Sequence, residues 1–137
     1  MKVILSIKPE FAEKIFNGSK KYEFRRSIFK DPTIKKIIVY ASAPISKIIG
    51  EFEIDKIIRS ELNSLWSTTK EYSGISEEYY LKYFEGKKEG YALKIKKTHK
   101  YEDHLSIKDD FGLFPPQSFA YLKESTYTKQ IINYVPG

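Results

Sequence analysis

One short basic stretch, GSKKYEFRR at residues 18–26, carries the side chains best suited to chemistry in this sequence. Gly18 favours the end of a helix, and the alternation of charged and aromatic residues after it predicts a strand. Lys21, Glu23 and Arg25 would then share one face of that strand, with alternate Cα atoms ~7 Å apart. A carboxylate beside a guanidinium can hold its planar fork ready for a phosphate or a base edge. The alternative is a solvated face of alternating charge, which the spacing alone does not exclude.

Lys20 and Glu23, in the same stretch, are the candidates for acid–base chemistry. Burial disfavours the charged form of a lysine, so a desolvated Lys20 can have a pKa near neutrality. Hydroxyl groups that could act with them occur at Ser6, Ser42 and Ser118. Serines at such positions also commonly cap turns. The residue types therefore permit proton transfer here without establishing it.

Aromatic residues supply a second candidate feature. Trp66, Tyr79, Tyr80 and Tyr83 could form a platform on which bases stack, worth ~1–3 kcal/mol per base. Aromatic residues at helical spacing are more often part of a core, and both interpretations stay open. Gln117 follows two prolines that stiffen its backbone, so its amide could either read a base edge or close the fold.

Positive charge is concentrated in the first third of the chain. The 137 residues carry a net charge of +6, and residues 1–50 contain 11 Lys/Arg against 4 Asp/Glu. Excess positive charge in one segment is typical of a protein that binds a polyanion. Solubilising surface lysines are the equally simple alternative.

Composition excludes several classes of protein and site. No stretch approaches the ~20 apolar residues of a membrane span. Lys8 and Pro9 interrupt the N-terminal apolar run before any cleavage-site pattern. There is no cysteine for disulfides or thiolate metal sites, and His99 and His104, on a predicted loop, are poorly spaced as metal ligands. We expect a cytoplasmic protein without metal or cofactor, and the sequence leaves its oligomeric state open.

The elements that must position these residues alternate between strands and short helices. Strands are predicted at 3–7, 20–26, 35–42, 45–58 and 90–98. One helix begins at Pro9, Ser60 and Ser76 are predicted N-caps of two more, and a turn of helix is predicted near Ser106. Gly50 marks a bulge or a close backbone approach within its strand. Residues 123–134 are compatible with either a helix or a strand. The pattern predicts one α+β domain over residues 1–137, a small mixed barrel rather than a parallel doubly wound sheet.

Several segments together resemble a known family. Gly18, Lys20, Glu23 and Arg25 stand where ASCH domains, of the PUA-like superfamily, carry a glycine, a lysine, a glutamate and an arginine. Tyr-Ala-Ser-x-Pro at 40–44, the glycine-containing strand, the insert around residue 66 and PPQSF at 115–119 extend the resemblance over nearly the whole chain. It implies a PUA-like mixed β-pseudobarrel flanked by helices, with a basic, aromatic-lined cleft that holds RNA or a modified nucleotide.

From the same resemblance we expect particular residues in the cleft, with Glu23 and Arg25 as a hydrogen-bonded pair. The expected cleft residues are Ser6, Lys8, Lys20, Lys21, Glu23, Arg25, Arg26, Tyr40, Ser42, Trp66, Gln117 and Ser118. The catalytic candidates among them are Lys20, Glu23 and Ser118.

An RNA- or nucleotide-binding module, in translation or transcription regulation, is the main functional expectation. Some ASCH relatives are ribonucleases or amidohydrolases of acetylated cytidine, so the resemblance also allows an RNA-directed hydrolase that uses Lys20 and Glu23. A protein-interaction domain without a ligand is the second alternative. The amidohydrolase reaction is disfavoured, because Glu23 occupies the place of the nucleophilic threonine and a carboxylate does not replace an activated hydroxyl in acyl transfer.

Overall fold

The computed structural model describes residues 2–116, 119–122 and 131–135 of the chain. In chain order the elements are β1 (Lys2–Ile7), α1 (Pro9–Phe16), β2 (Tyr22–Arg25), β3 (Lys36–Ala41), β4 (Lys47–Glu61), α2 (Leu62–Thr69), a 3-10 turn (Lys70–Tyr72), α3 (Glu77–Tyr83), β5 (Glu89–Leu105), α4 (Ile107–Phe111), β6 (Phe119–Leu122) and β7 (Ile131–Val135).

These strands form one mixed sheet in the order β2-β5-β4-β3-β1-β6-β7. Strands β1 and β3 pair in parallel, and the other neighbouring pairs are antiparallel. Within the described residues the sheet is open, with β2 and β7 at its edges. An open mixed sheet with flanking helices confirms the α+β prediction and is consistent with a pseudobarrel.

Bulges bend the long strand β4 around the molecule. Its register against β5 shifts between Ile48 and Gly50 and on both sides of Ile54. A Cβ atom on Gly50 would lie 2.5 Å from Phe16 Cζ and 2.6 Å from the His99 carbonyl oxygen. The predicted bulge and the predicted close approach at Gly50 are therefore both confirmed.

Side chains alternate along each strand, so apolar residues point to both faces of the sheet, and both faces are covered. On β1, Val3 and Leu5 join a core cluster that includes Ile15 of α1. Ile4, between them, belongs to a second cluster with Phe111 of α4. A third cluster packs α2 and α3 against β2 and β5, through Phe24, Leu65, Tyr80, Phe84 and Ala92. The three clusters thus pack α1, α4 and the pair α2 and α3 against the sheet.

Helix caps follow the sequence signals with one exception. The hydroxyls of Ser76 and Ser106 accept hydrogen bonds from backbone N–H groups at the starts of α3 and α4. The prediction of Ser60 as the cap of α2 is wrong, because β4 continues to Glu61. The Glu61 carboxylate accepts from the backbone N–H groups of Asn63 and Ser64, at 2.9 and 3.0 Å, and takes that role.

Strand β5 is longer than its predicted counterpart. It reaches Leu105, so His99 and His104 lie in a strand and not in the predicted loop. Of the segment whose structure the sequence left open, residues 131–134 are in a strand, and residues 123–130 lie outside the described residues. Among the helices of the described residues, none has both the length and the apolar character needed to cross a membrane.

Candidate functional site

A cavity of ≈ 510 Å³ opens where the carboxyl ends of β1 and β3 meet β2 and the helices α1 and α3. We call it the cleft. It is lined by Ser6, Ile7, Lys8, Phe11, Lys20, Glu23, Phe24, Arg25, Arg26, Ser27, Ser42, Ile75, Tyr79 and Tyr83. Seven of the twelve predicted site residues are in this set: Ser6, Lys8, Lys20, Glu23, Arg25, Arg26 and Ser42.

Lys20 is the most deeply buried charged residue of the cleft, with 2% of its surface exposed. It lies between the end of α1 and the start of β2, and its Nζ donates to the Ser73 carbonyl oxygen at 2.6 Å. The rings of Phe24 and Phe11 are 4.9 and 5.4 Å from Nζ. Burial lowers the pKa of Lys20 from 10.5 to about 8, although the Glu23 carboxylate opposes that shift. A buried amine with a pKa this close to neutrality can hold or release a proton.

Glu23 and Arg25 lie side by side on β2, two residues apart and therefore on the same face. Arg25 Nη1 is 3.5 Å from Glu23 Oε2 and 3.4 Å from the Ser6 carbonyl oxygen on β1. Both side chains are buried, and both line the cleft. The predicted contact between the two is thus present, and the Ser6 carbonyl oxygen of β1, a strand that does not pair with β2, helps to hold the guanidinium.

One wall of the cleft is aromatic. Tyr79 and Tyr83, one turn apart on α3, stack with their ring centroids 6.4 Å apart, and Phe11 of α1 meets Tyr79 edge-on at 5.1 Å. The Tyr83 hydroxyl donates to the Phe24 carbonyl oxygen at 3.1 Å, and burial raises the pKa of that phenol. This contact ties α3 to β2. The half-buried faces of Tyr79 and Tyr83 are left to the cleft.

Two cations lie at the rim. The Nζ of Lys8, which is exposed, is 5.2 Å from the centroid of the Tyr79 ring. Arg26 Nη1 donates to the carbonyl oxygens of Tyr83 and Glu85, at 2.7 and 2.9 Å, where helix α3 ends. Those contacts satisfy carbonyl groups at the helix end and fix the guanidinium beside the opening. The rim is therefore positively charged, whereas the floor carries both signs of charge.

Three predicted site residues lie outside this set. Lys21 precedes β2 and is exposed, with Nζ 4.6 Å from the centroid of Tyr72, because the chain turns there toward the 3-10 turn. Tyr40 is buried in the second core cluster, since its position on β3 faces α4. Trp66 packs on Tyr80 at 4.8 Å, against the third cluster. Contact of any of them with a ligand stays a prediction.

Two further candidates, Gln117 and Ser118, lie outside the described residues. Sequence reasoning in turn did not single out Phe11, Phe24 or Ile75 as residues of the cleft. Apolar residues such as these are expected in a core, and Phe24 does belong to the third core cluster. Tyr79 and Tyr83 belong to the possible stacking platform named from the sequence, and their spacing of four residues puts both on one side of a helix.

No group of three or more histidine and acidic side chains within the described part of the chain is arranged to hold a metal ion. The chemistry that the described residues offer is that of an amine, a carboxylate, a guanidinium and aromatic faces. Such groups can orient a nucleotide, bind its phosphates and move a proton.

The family model of the ASCH domain matches residues 5–108. The chain belongs to the ASCH domain family. The matched range includes the residues that line the cleft in the described structure. As a member of the family, the chain has the expected mixed sheet with flanking helices.

Relatives of this ASCH domain include a protein of similar length. The ASCH domain-containing ribonuclease of Zymomonas mobilis is 32% identical over 133 residues, which cover 93% of this chain and 88% of that protein. The crystal structure of ASCH from the same organism has a TM-score of 0.83 at 31% identity, covering 90% of this chain and 88% of that one.

Other relatives are much longer. The chain is 34% identical over 125 residues to ATP synthase subunit alpha of Ureaplasma parvum, and spans 15% of that protein. It is 27% identical over 121 residues to the large ribosomal subunit protein uL22 of the same species, and spans 39% of it.

Proposed function

We propose that this ASCH domain binds single-stranded RNA and that its cleft holds one unstacked nucleotide. The observation that carries the proposal is the composition of a single cavity of ≈ 510 Å³, with a charged floor, an aromatic wall and a basic rim. That volume lies within the ~300–1,000 Å³ of ordinary ligand pockets. Proteins recognise RNA sequence mostly through single-stranded bases that can be splayed out and stacked on aromatic side chains. The relative named a ribonuclease supports RNA as the ligand.

The three parts of the cleft have different roles in this proposal. The base stacks beside Tyr79, where Phe11, Ile75 and Tyr83 also line the cleft. Phosphates lie at the rim near Lys8 and Arg26, because an anion deeper in the cleft would meet the Glu23 carboxylate. The floor is then left for the polar edge of the base. A paired base would have to leave its duplex to enter, so single strands should bind better than duplexes.

Titration of a labelled single-stranded RNA, followed by fluorescence anisotropy, tests the proposal. Tyr79→Leu should weaken binding about 5- to 150-fold, the loss expected when one stacked base contact of ~1–3 kcal/mol is removed. Tyr72→Leu is the matched control, because Tyr72 is exposed, contacts Lys21 and is absent from the lining of the cleft. Equal affinity of the parent and both variants, or tighter binding of duplex than of single strands, would refute the proposal. Absence of RNA binding by the parent would favour a protein-interaction domain.

An alternative function, cleavage of RNA, is favoured by Lys20 and by the ribonuclease relative. It requires the sugar–phosphate backbone, instead of the edge of the base, to lie against Lys20 and Glu23. In such a reaction the ribose 2′-oxygen attacks the adjacent phosphorus and the bond from phosphorus to the 5′-oxygen breaks. Glu23 would accept the 2′-hydroxyl proton, and the Lys20 ammonium would give a proton to the departing 5′-oxygen. The products are a 2′,3′-cyclic phosphate and a 5′-hydroxyl end.

Incubation of end-labelled RNA with the purified protein in a chelator tests cleavage. We expect cyclic phosphate ends, no cleavage of the 2′-deoxy strand of the same sequence, and loss of activity in Lys20→Met. Activity that survives unchanged in Lys20→Met, or products with 5′-phosphate ends, would contradict this chemistry. Binding of RNA by the parent without cleavage would leave the binding function and remove the enzymatic one.

A further inference from the structure

Three consecutive carbonyl groups tie the corner between α1 and β2 to a distant part of the chain. They belong to the segment 72–74, which leads from the 3-10 turn to α3. The carbonyl oxygens of Tyr72, Ser73 and Gly74 accept, in that order, from the backbone N–H of Lys21 at 2.8 Å, from Lys20 Nζ at 2.6 Å and from Lys14 Nζ at 3.1 Å. Two lysine side chains therefore hold neighbouring residues of the same segment.

The segment 72–74 covers the stem of Lys20. A Cβ atom added to Gly74 would lie 2.5 Å from Lys20 Cβ and 2.8 Å from Lys20 Cδ, so the Gly74 backbone packs directly on that stem. Only 2% of the surface of Lys20 is exposed, and burial is the largest cause of its lowered pKa of about 8. The position of the segment therefore determines how much water reaches the Lys20 amine.

Lys14 acts on Lys20 in two ways, although it lies in the last turn of α1 with an exposed side chain. Its ammonium holds Gly74, and Gly74 packs on Lys20. Its positive charge also lowers the pKa of Lys20, after burial and the opposing effect of Glu23. Both effects favour the neutral amine of Lys20, and Lys14 is not among the residues that line the cleft in the described structure.

We propose that Lys14 is a positioning residue of the cleft, which holds the segment 72–74 over Lys20 and controls the form in which Lys20 meets a ligand. This inference rests on the RNA-binding function proposed above. The ammonium form of Lys20 donates charge-assisted hydrogen bonds to the polar edge of a base, and the neutral amine donates weaker ones. RNA affinity should then fall as the pH rises through the pKa of Lys20, and Lys14 sets where that fall occurs.

The charged and titratable groups around Lys20 lie on α1, β2 and α3 and beside them. Glu23 of β2 favours the ammonium form, and Lys14 of α1 opposes it. The others that line the cleft with Lys20 are Lys8, Arg25, Arg26, Tyr79 and Tyr83. Loss of Lys14 leaves the effect of Glu23 unopposed by that charge and releases the segment that covers the amine. The pKa of Lys20 should therefore rise toward its ordinary value of 10.5.

The test is an anisotropy titration of a labelled oligoadenylate over a series of pH values, because adenine has no proton that titrates near pH 8. The affinity of the parent should fall about 5- to 10-fold as the pH rises through 8, when charge-assisted hydrogen bonds become neutral ones. In Lys14→Met the midpoint of that fall should be higher by about 0.5 or more. Lys14→Arg keeps the charge and a donor for Gly74, so it should restore the parent's midpoint. Lys82→Met removes an exposed lysine of α3 and should leave the midpoint unchanged.

A second measurement follows Lys20 without RNA. NMR of protein with ¹³C-labelled lysine reports the pKa of Lys20 directly, once its resonance is assigned by its absence in Lys20→Arg. A pKa of Lys20 that stays near 8 in Lys14→Met would overturn the inference and leave the RNA-binding function standing. So would an affinity that drops equally at every pH with its midpoint unmoved, because Lys14 would then only support the fold. Absence of RNA binding by the parent, together with a raised pKa of Lys20 in Lys14→Met, would refute the RNA function and keep the control of Lys20 by Lys14.

Discussion

At the scale of single residues, the most informative group is the Lys20 amine. Two phenylalanine rings and the Ser73 carbonyl oxygen surround it. The ammonium group has therefore lost most of its hydration, and one short hydrogen bond and a nearby carboxylate replace it. Burial of a charge destabilises a fold unless partners compensate for the lost hydration. A perturbed pKa in a cleft is also a common property of functional groups. Its perturbed pKa therefore favours a role for Lys20 in the site, and the burial of its charge should have a measurable effect on stability.

Stability as a function of pH should reveal the buried lysine. The pKa of Lys20 falls from 10.5 in the unfolded chain to about 8 in the fold, so the unfolded state binds more protons between those values. The destabilising effect is complete below pH 8 and is lost as the pH rises toward 10.5. Relative to Lys20→Met, the parent should therefore gain ~3 kcal/mol in free energy of unfolding over this range. Chemical denaturation at pH 7.5, 9 and 10.5 measures the gain.

Lys82→Met is the control for that series, because Lys82 is exposed on α3. A stability difference that does not change with pH for Lys20→Met, or that changes equally for Lys82→Met, would show that Lys20 is not held in the fold as described.

The guanidinium of Arg25 gives a second prediction at this scale. Arg25→Lys keeps the charge but loses the planar fork that reaches Glu23, Ser6 and the cleft together. We expect a loss of ~1–3 kcal/mol in RNA binding, the value of a bidentate contact to a base edge in duplex DNA. Titration at two salt concentrations is the measurement. If Arg25→Lys melts earlier but binds as the parent does, the guanidinium is structural.

At the scale of elements, the segment from Ser73 to α3 decides the shape of the cleft. Gly74 has φ +69°, and its carbonyl oxygen accepts from Lys14 Nζ at 3.1 Å. The Ser76 hydroxyl then caps α3, with acidic residues in the first turn of the helix. Along α3, Tyr79 and Tyr83 face the cleft and Tyr80 faces the core, as a period of 3.6 residues requires. The cap and the glycine therefore set where the aromatic wall stands relative to Lys20.

Gly74→Ala should destabilise the fold by more than the strain of a left-handed alanine alone. Its Cβ would lie 2.5 Å from Lys20 Cβ, which cannot move without the backbone, and 2.6 Å from Lys20 Cγ. Gly86→Ala is a matched control, because Gly86 has φ +85° and nothing within 4 Å of its Cβ position. Both variants should lose ~1–2 kcal/mol through left-handed strain, and Gly74→Ala a further ~1–3 kcal/mol through overpacking. Thermal melts compare them; equal losses, with RNA affinity unchanged in both, would contradict the packing described here.

At the scale of the whole molecule, most of the elements that border the cleft come from the most cationic part of the chain. The carboxyl ends of β1 and β3, the edge strand β2 and helix α1 all come from the cationic first third of the chain. Several lysines of the long β4–β5 pair have acidic neighbours instead, as in Lys94 with Asp55 and Lys96 with Glu53, both at 3.7 Å. We therefore expect the positive charge that is available to a polyanion to be greatest near the cleft.

RNA binding should accordingly depend on salt. Each phosphate contact on a single strand contributes about −0.7 to the slope of log K against log salt, because counterions are released. Lys8→Met should reduce the magnitude of that slope by about 0.7. Lys97→Met, which changes an exposed lysine of β5, should leave it unchanged. A flat salt dependence of the parent would count against a phosphate-binding rim.

By itself the sequence determined much of this protein. The apolar run of β1, the alternation along β2, the Pro9 and Gly18 signals around α1, and the Ser76 cap of α3 are local, so the elements follow from neighbouring residues. The Glu23–Arg25 contact follows from the period of two in a strand, and the ordered segments predicted the family.

Only the tertiary structure decided which side chains share the cleft. Lys21 and Lys20 are adjacent in sequence, yet one stacks on Tyr72 at the surface and the other is buried beside Glu23, because Ser73 and Gly74 pack over Lys20 from more than fifty residues away. Tyr79 and Tyr80 are also adjacent in sequence, but Tyr79 lines the cleft and Tyr80 is in the third core cluster, because α3 packs on β2 in one orientation. Hydrophobic periodicity gives a helix its apolar side, but the side that faces a cavity depends on how distant elements pack. The low pKa of Lys20 has the same origin, since desolvation is a property of the assembled surroundings and not of the residue.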